Sequence, residues 1–393
     1  MPGAAFPAPS EAREIQIDGT GVQTSQLPDI EAVDLPTFWT PGGEPPVIRT
    51  LSRRQFGLML AALTQARPRQ QASGGDERSE RRLAIAMLAA TLRTELAKFG
   101  EGSWDGWLRR LEPVRAQWKH VASGSRQGRN NYDFNQNALN YLVDTDLETG
   151  VGGTRPLDTI AGFDAKMKRL GIDFLYVPIP SIEEVYAENF LDSVPADLTV
   201  QPAMRRLMLS LLERDVEVVD LLRPFQAARG GYRLGLKHDD HWNNVQLELA
   251  ASVVAGRLQR YGFVQAAASQ AKQYTTKAIT IDGDRGVSAM RQVITPSGKL
   301  YDDVERSPVL VVGDSNLQIY QYKNENLTAT GEHAGFTAHL ARHLGLPVSL
   351  EATGGFRLAQ LNREPALFEE RRVVVFVGAA WVLSYYPWVP IAG

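Results

Sequence analysis

Pro308 is followed by four apolar, mostly β-branched residues, Val309-Leu310-Val311-Val312, and Gly313 ends the run. A stretch with no polar alternation fits a strand buried on both faces, as in parallel sheets covered by helices. Asp314-Ser315-Asn316 come next. A turn there would present Ser315 at the carboxyl edge of a sheet, where open α/β folds build their sites. Glycine lets the chain turn sharply and lets another group approach the backbone. On these residues alone a plain strand end with a polar turn is an equal reading, because a serine needs a base before it is a nucleophile.

The candidate base lies upstream, in Leu236-Lys-His-Asp-Asp-His-Trp-Asn-Asn244. In an extended segment residues two apart face the same side, so Asp239 and His241 would be neighbours and Asp240 would point away. A carboxylate beside an imidazole accepts its Nδ1–H, fixes the tautomer and stabilises the imidazolium. On a helix the pair would not meet, so the pairing requires a loop or strand. Asp-x-His alone fits a solvated loop or a metal site as well.

Taken together these residues resemble the alginate O-acetyltransferase family (AlgJ/AlgX-like). The resemblance rests on Asp239-x-His241-Trp242-Asn243 before a helix, then a strand ending in Gly313-Asp314-Ser315. In that family the Asp-x-His element precedes the serine, the reverse of ordinary SGNH hydrolases, and the order here matches. Patches at 131–142, 170–180 and 335–348 are also similar, and the likeness covers roughly residues 126–385. It implies an SGNH-hydrolase-like α/β domain, with a parallel sheet flanked by helices.

Ahead of that domain, residues 1–50 are rich in proline and read as an extended arm. Residues 52–66, 79–99 and 104–119 read as helices, giving a helical segment over 51–125 and the α/β domain over 126–393. Met1 to Pro46 lacks the basic-then-apolar order of a secretory leader. Ser52-Arg53-Arg54 resembles a twin-arginine motif, but reads better as a capped helix start. From residue 159 the pattern alternates: helix 159–170 closed by Gly171, strand 174–177 stopped by Pro178, helix 203–214, strand 216–219. This argues for a parallel sheet with helices on both faces. Asn244 is positioned to cap the helix after His241, residues 275–281 read as a strand, and residues 332–344 read as a helix. His339 and His343 have a metal-ligand spacing, but Leu340 stands where a zinc protease needs its glutamate, so a packed histidine pair is the better reading. The last residues, Val373 to Gly393, carry no charge, and Pro387 and Pro390 favour a core strand with a tail over a membrane span.

A net charge of −3 gives no reason to expect nucleic acid as partner, and the absence of cysteine excludes disulfides and thiolate metal sites. The favoured chemistry is acyl transfer. His241 takes the Ser315 proton, Asp239 orients His241, and no metal or organic cofactor is needed. The Ser315 and Asn316 amides are the natural donors to the oxyanion. Asn316, Gly354, Gly355 and Trp242 are expected around the oxyanion or substrate. The resemblance implies an exported polysaccharide acceptor, a periplasmic location, and acetyl supply through a membrane-bound O-acyltransferase partner. The alternatives are an SGNH-type carbohydrate acetylesterase and a non-catalytic polysaccharide-binding relative. In the family the final strand usually runs into Trp-Glu and later an Arg. Here Phe376 to Trp381 lacks both charges, which fits a neutral acceptor or an altered site.

Overall fold

The computed structural model describes residues 77–391, apart from 119–124, 130–132, 145, 149–154, 195–198, 230–233, 237–239, 282–287, 323–331, 353–357, 362–363 and 390, together with the paired dipeptides Ala32–Val33 and Leu51–Ser52. The expected arm and the helix over 52–66 lie outside the described residues but for those dipeptides.

Five strands form one sheet: β1 (Asp173–Ile179), β2 (Glu217–Val218), β3 (Val309–Gly313), β4 (Ser349–Ala352) and β5 (Val373–Ala379). Their order is β4-β3-β5-β1-β2, and all neighbours are parallel. The protein therefore has the expected α/β class, a parallel sheet flanked by helices. β5, last in sequence, lies at the centre. Every residue of β3 and β5 is buried, as their unbroken apolar runs require. The register sets Val377 of β5 opposite Gly313 on one side and Val177 on the other. Ala352 pairs with Gly313 on the far side of β3. The carboxyl ends of these strands thus share one rim.

β1 does not stop at Pro178, as the sequence suggests, but runs on to Ile179. β2 pairs only with Leu175 and Tyr176, so that flank of Pro178 has no ladder in which a missing N–H would matter.

The helices covering the sheet carry their own start and stop signals. α1 (Glu77–Leu96) and α2 (Glu101–Trp118) match the two helices expected there. Trp107 and Leu111 of α2 are fully buried, so Trp107 is core and not a sugar-stacking surface. α3 (Gln136–Val143) is capped by the Asn135 side chain. α4 (Pro156–Arg169) has proline at its first turn, Lys166, Lys168 and Arg169 at its last, and Gly171 beyond it at φ 72°. α5 (Pro202–Glu213) buries Leu207, Met208, Leu211 and Leu212. α6 (Asn244–Leu258) begins one residue earlier than a cap at Asn244 would require. Asn243 is the cap, and Gln246 completes a capping box. α7 (Gly262–Ala271) packs against α8 (Phe336–Leu344). Gly345 ends α8 at φ 73°, where a Cβ would lie 2.3 Å from the Ala267 carbonyl oxygen. The expectation of a helix from residue 332 fails because of contacts with an earlier segment. His333 and Ala334 donate backbone hydrogen bonds to Gln321 and Tyr320, which holds that segment out of helical register.

α1 is fastened by charge as well as by packing. Arg81 pairs with Asp215 at 2.9 Å, Glu95 with Arg223 at 2.6 Å and with buried Arg205 at 3.5 Å. Between α6 and β3 the hairpin Thr275–Ile281/Ser288–Ile294 is antiparallel, and its Arg291 pairs with Glu248 of α6.

Candidate active site

The nucleophile turn is built from the end of β3. A Cβ on Gly313 would lie 1.9 Å from the Val377 carbonyl oxygen, so only glycine fits against β5 there. Asp314 then caps the one-turn 3₁₀ helix Ser315–Leu317. Its Oδ1 accepts from the Asn316 backbone N–H at 2.9 Å and from Asn316 Nδ2 at 3.0 Å. Its Oδ2 accepts from the Ala379 N–H at 2.8 Å. One buried carboxylate thus fixes the turn and ties it to the end of β5.

The base loop is stitched to the same turn. Trp242 N–H donates to Asn316 Oδ1 at 3.1 Å, and Trp242 Nε1 donates to the Asn316 carbonyl at 2.9 Å. The Trp242 ring is buried and stacks on Phe336 at the start of α8, 5.5 Å between centroids. Asn243 and Gln246 then anchor the loop to α6, and Gln246 Oε1 also accepts from Gly235 N–H at 2.7 Å. Residues adjacent to His241 and Ser315 therefore hold the two segments together. The outcome is direct: His241 Nε2 lies 2.7 Å from Ser315 Oγ, and both residues are half-buried.

Nδ1 of His241 lies 3.6 Å from Asp240 Oδ1. That is too long for a hydrogen bond, but within reach of electrostatic attraction to an imidazolium. The sequence pattern has Asp240 pointing away, whereas its carboxylate stands on the Nδ1 side. Asp239 lies outside the described residues, as do Gly354 and Gly355. β4, which leads to the two glycines, ends at Ala352, and Gln318 Nε2 donates to the Ala352 carbonyl at 3.1 Å.

Trp242 and Asn316 stand differently from the sequence expectation. The Asn316 backbone N–H, expected as an oxyanion donor, is already bonded to Asp314. Trp242 turns its indole N–H inward. Both brace the two loops. Among the described residues no acceptor lies on the Ser315 N–H, which leaves it as the amide at the head of the 3₁₀ turn.

Sequence reasoning missed Glu183. Beyond β1, Ser181 caps the short helix Ile182–Val185 with Glu184 in a capping box. The Ser-x-x-Glu spacing after Pro180 is the signal that could have found it. Glu183 in that turn is buried and accepts from the Asn135 N–H at 3.0 Å. Burial pushes its carboxyl up to about 8, and the Asp240 charge adds to the rise. Near neutral pH this carboxyl is mostly protonated, so it adds little negative charge beside Asp240.

His339 is buried on α8 with its Nε2 3.6 Å from Glu248 Oε1. Burial holds its pKa down at about 4. Among the described residues no group of three or more His, Asp or Glu is arranged to hold a metal ion.

The family described as SGNH hydrolase-like domain, acetyltransferase AlgX, matches residues 148–291. Over those residues the chain is similar to the AlgJ/AlgX-like family. The match takes in Asp239, His241 and Trp242 and ends before Ser315. A probable alginate O-acetylase AlgJ of Azotobacter vinelandii is 31% identical over 101 residues, covering 25% of this chain. That stretch spans about a quarter (24%) of the relative's own length. Among solved structures, the O-acetyltransferase domain of Pseudomonas putida AlgJ is 19% identical with a TM-score of 0.45, covering 67% of this chain and 93% of that one. Pseudomonas aeruginosa AlgX is 16% identical with a TM-score of 0.44, covering 67% and 63%.

Proposed function

We propose that the chain is an O-acetyltransferase that moves an acetyl group onto polysaccharide hydroxyls through an acyl-Ser315 intermediate. The observation that carries this reading is the 2.7 Å contact between His241 Nε2 and Ser315 Oγ. For Nε2 to accept the hydroxyl proton, Nδ1 must carry the ring hydrogen, on the side where Asp240 stands. In the first half-reaction Ser315 Oγ attacks the donor's acyl carbon and its proton passes to Nε2. The tetrahedral intermediate collapses, and the leaving group takes that proton. In the second, an acceptor hydroxyl attacks the acyl-serine and gives its proton to Nε2, and Ser315 Oγ recovers it on leaving. The Ser315 N–H is the proposed oxyanion donor, because the neighbouring amide is held by Asp314.

In this reading Asp239 orients the imidazole. The acceptor is an exported polysaccharide, the compartment is periplasmic, and the acetyl group arrives through a membrane-bound O-acyltransferase partner. Among the described residues no helix is long and apolar enough to cross a membrane.

Ser315→Ala is expected to lower p-nitrophenyl acetate turnover by at least about 10⁴-fold; unchanged turnover rejects the nucleophile. Adding sugar oligomers to wild type separates transfer from hydrolysis. Acetylated oligomer detected by mass spectrometry supports transfer, whereas acetate alone supports the esterase. The orienting carboxylate is tested by two variants. Asp239→Asn is expected to reduce kcat by about 10³–10⁴-fold, as loss of the correct tautomer does. Asp240→Asn is expected to cost less than about tenfold, since its 3.6 Å separation gives only attraction through space. The reverse ranking would give the orienting role to Asp240.

A further inference from the structure

Beyond β5 the chain enters the 3₁₀ helix Ala380–Ser384 and then a turn that carries a cluster of aromatic rings. Trp381 and Tyr385 meet edge to face at 5.8 Å, and Tyr385 and Tyr386 at 4.8 Å. Tyr385 is 49% exposed and Tyr386 42%, both unusually open for large side chains. This is not a fraying end. Val382 and Leu383 are buried on one side of the turn, and Trp388 and Ile391 on the other. Trp388 Nε1 donates to the Leu383 carbonyl at 3.3 Å, and Thr159 Oγ1 to the Val389 carbonyl at 3.2 Å. The turn is thus held at both flanks while the Tyr385 and Tyr386 rings face solvent and the half-buried Trp381 packs against the core behind them.

Its position ties it to the candidate active site. The segment starts at Ala379, whose N–H is bonded to Asp314, the residue before Ser315. No charged side chain occurs anywhere from Val373 to Gly393. An open aromatic segment that itself carries no charge, running on from the strand end tied to the nucleophile turn, matches the C–H face of a pyranose ring. Such a ring stacks through dispersion and its slightly positive C–H groups on the negative face of an aromatic ring, with its hydroxyls left at the edges.

We propose that Tyr385 and Tyr386, backed by the half-buried Trp381, form the platform on which an uncharged sugar ring of the acceptor stacks while a hydroxyl reaches acyl-Ser315. The proposal rests on the acyl-transfer reading and names the acceptor class for that site. Tyr385 and Tyr386 stand on a fixed turn, so little ordering is required when the sugar arrives.

The test is calorimetric titration of the full chain carrying Ser315→Ala, so that nothing turns over, with a neutral mannose hexamer and an oligomannuronate of the same length. The neutral oligomer is expected to bind at least as tightly as the charged one, with affinity unchanged within twofold between low and high salt. Adding Tyr385→Ala and Tyr386→Ala is expected to weaken binding by about tenfold, the size of one aromatic contact. Tyr385→Phe and Tyr386→Phe, which keep the rings, are expected to retain it. Leu83→Ala, at another exposed apolar position on α1, serves as the surface control. Unchanged binding in the double alanine variant, with an unaltered melting temperature, overturns the platform. Tighter binding of the oligomannuronate overturns the uncharged acceptor. A dimer that the double variant splits into monomers makes this face a contact between copies instead. Failure of the acyl-transfer reading is a separate result, residual ester turnover by Ser315→Ala, and leaves these binding outcomes intact.

Discussion

Asp314 shows how much one side chain does for the nucleophile turn without taking part in the chemistry. Its carboxylate satisfies three donors, two on Asn316 and one on Ala379. Each donor left unpaired in a buried site costs about 1–3 kcal/mol, and the losses at one site are not independent. Asp314→Ala is therefore expected to destabilise the protein by roughly 3 kcal/mol and to lower kcat, because the Ser315 turn loses its cap and its tie to β5. Urea unfolding measures the first effect and ester turnover the second; a variant with wild-type stability would show that the three bonds carry nothing. In the sequence Asp314 reads only as a turn residue beside the serine, because its third partner is 65 positions away, on a strand whose place beside β3 no local pattern reveals. His241 and Ser315 were legible as a pair through the resemblance of their motifs and order to the AlgJ/AlgX-like family, and they meet at 2.7 Å. Glu183 was not legible as part of this surround, since its effect comes from burial that only the packed fold creates.

At the level of elements the sheet was readable wherever the chain is apolar without interruption. The runs in β3 and β5 give their strands directly, and Gly171 and Gly345 mark helix ends through their left-handed backbone. Contacts between distant segments account for what was misread. Pro178 stays within β1 because β2 is short, and the start of α8 is delayed to Phe336 by bonds to Tyr320 and Gln321. The site depends on the closeness of β3 and β5, which Gly313 permits at the rim. Gly313→Ala places a methyl group 1.9 Å from the Val377 carbonyl. The obstacle is backbone in a central strand, so no side-chain rotation relieves it. The strands must separate at the rim, and a loss of about 3 kcal/mol or more is expected, above the usual range for overpacking. Thermal unfolding together with ester turnover tests this. A soluble variant with normal Tm and activity would mean that the rim is looser than its register implies.

For the whole molecule, buried titratable groups make stability depend on pH in a way that can be assigned. Burial raises Glu183 from its ordinary 4.5 to about 8 and Glu184 to about 7. A raised carboxyl favours the fold fully below 4.5, and this contribution is lost as pH rises through the folded value. Burial lowers His339 from 6.5 to about 4. Its contribution is present above 6.5 and lost as pH falls towards 4. Between 4.5 and 6.5 the two glutamates are opposed by His339 and by His343, which burial lowers to about 3, so the stability curve is expected to be shallower there than above 6.5. From 6.5 to 8 the histidines no longer contribute a slope, and the raised glutamates make stability fall. Glu183→Gln isolates the larger share. The amide keeps the oxygen that accepts from Asn135 N–H and replaces the neutral acid's O–H with an N–H, but releases no proton. With a shift of one unit equal to about 1.4 kcal/mol, Glu183 contributes up to about 2 kcal/mol of the decline across that window. Urea unfolding at pH 6.5 and 8 is expected to show a smaller decline in the variant by that amount. An equal decline in both proteins would mean that Glu183 is already ionised in the fold, and would put a second full negative charge beside Asp240 and the His241 imidazole.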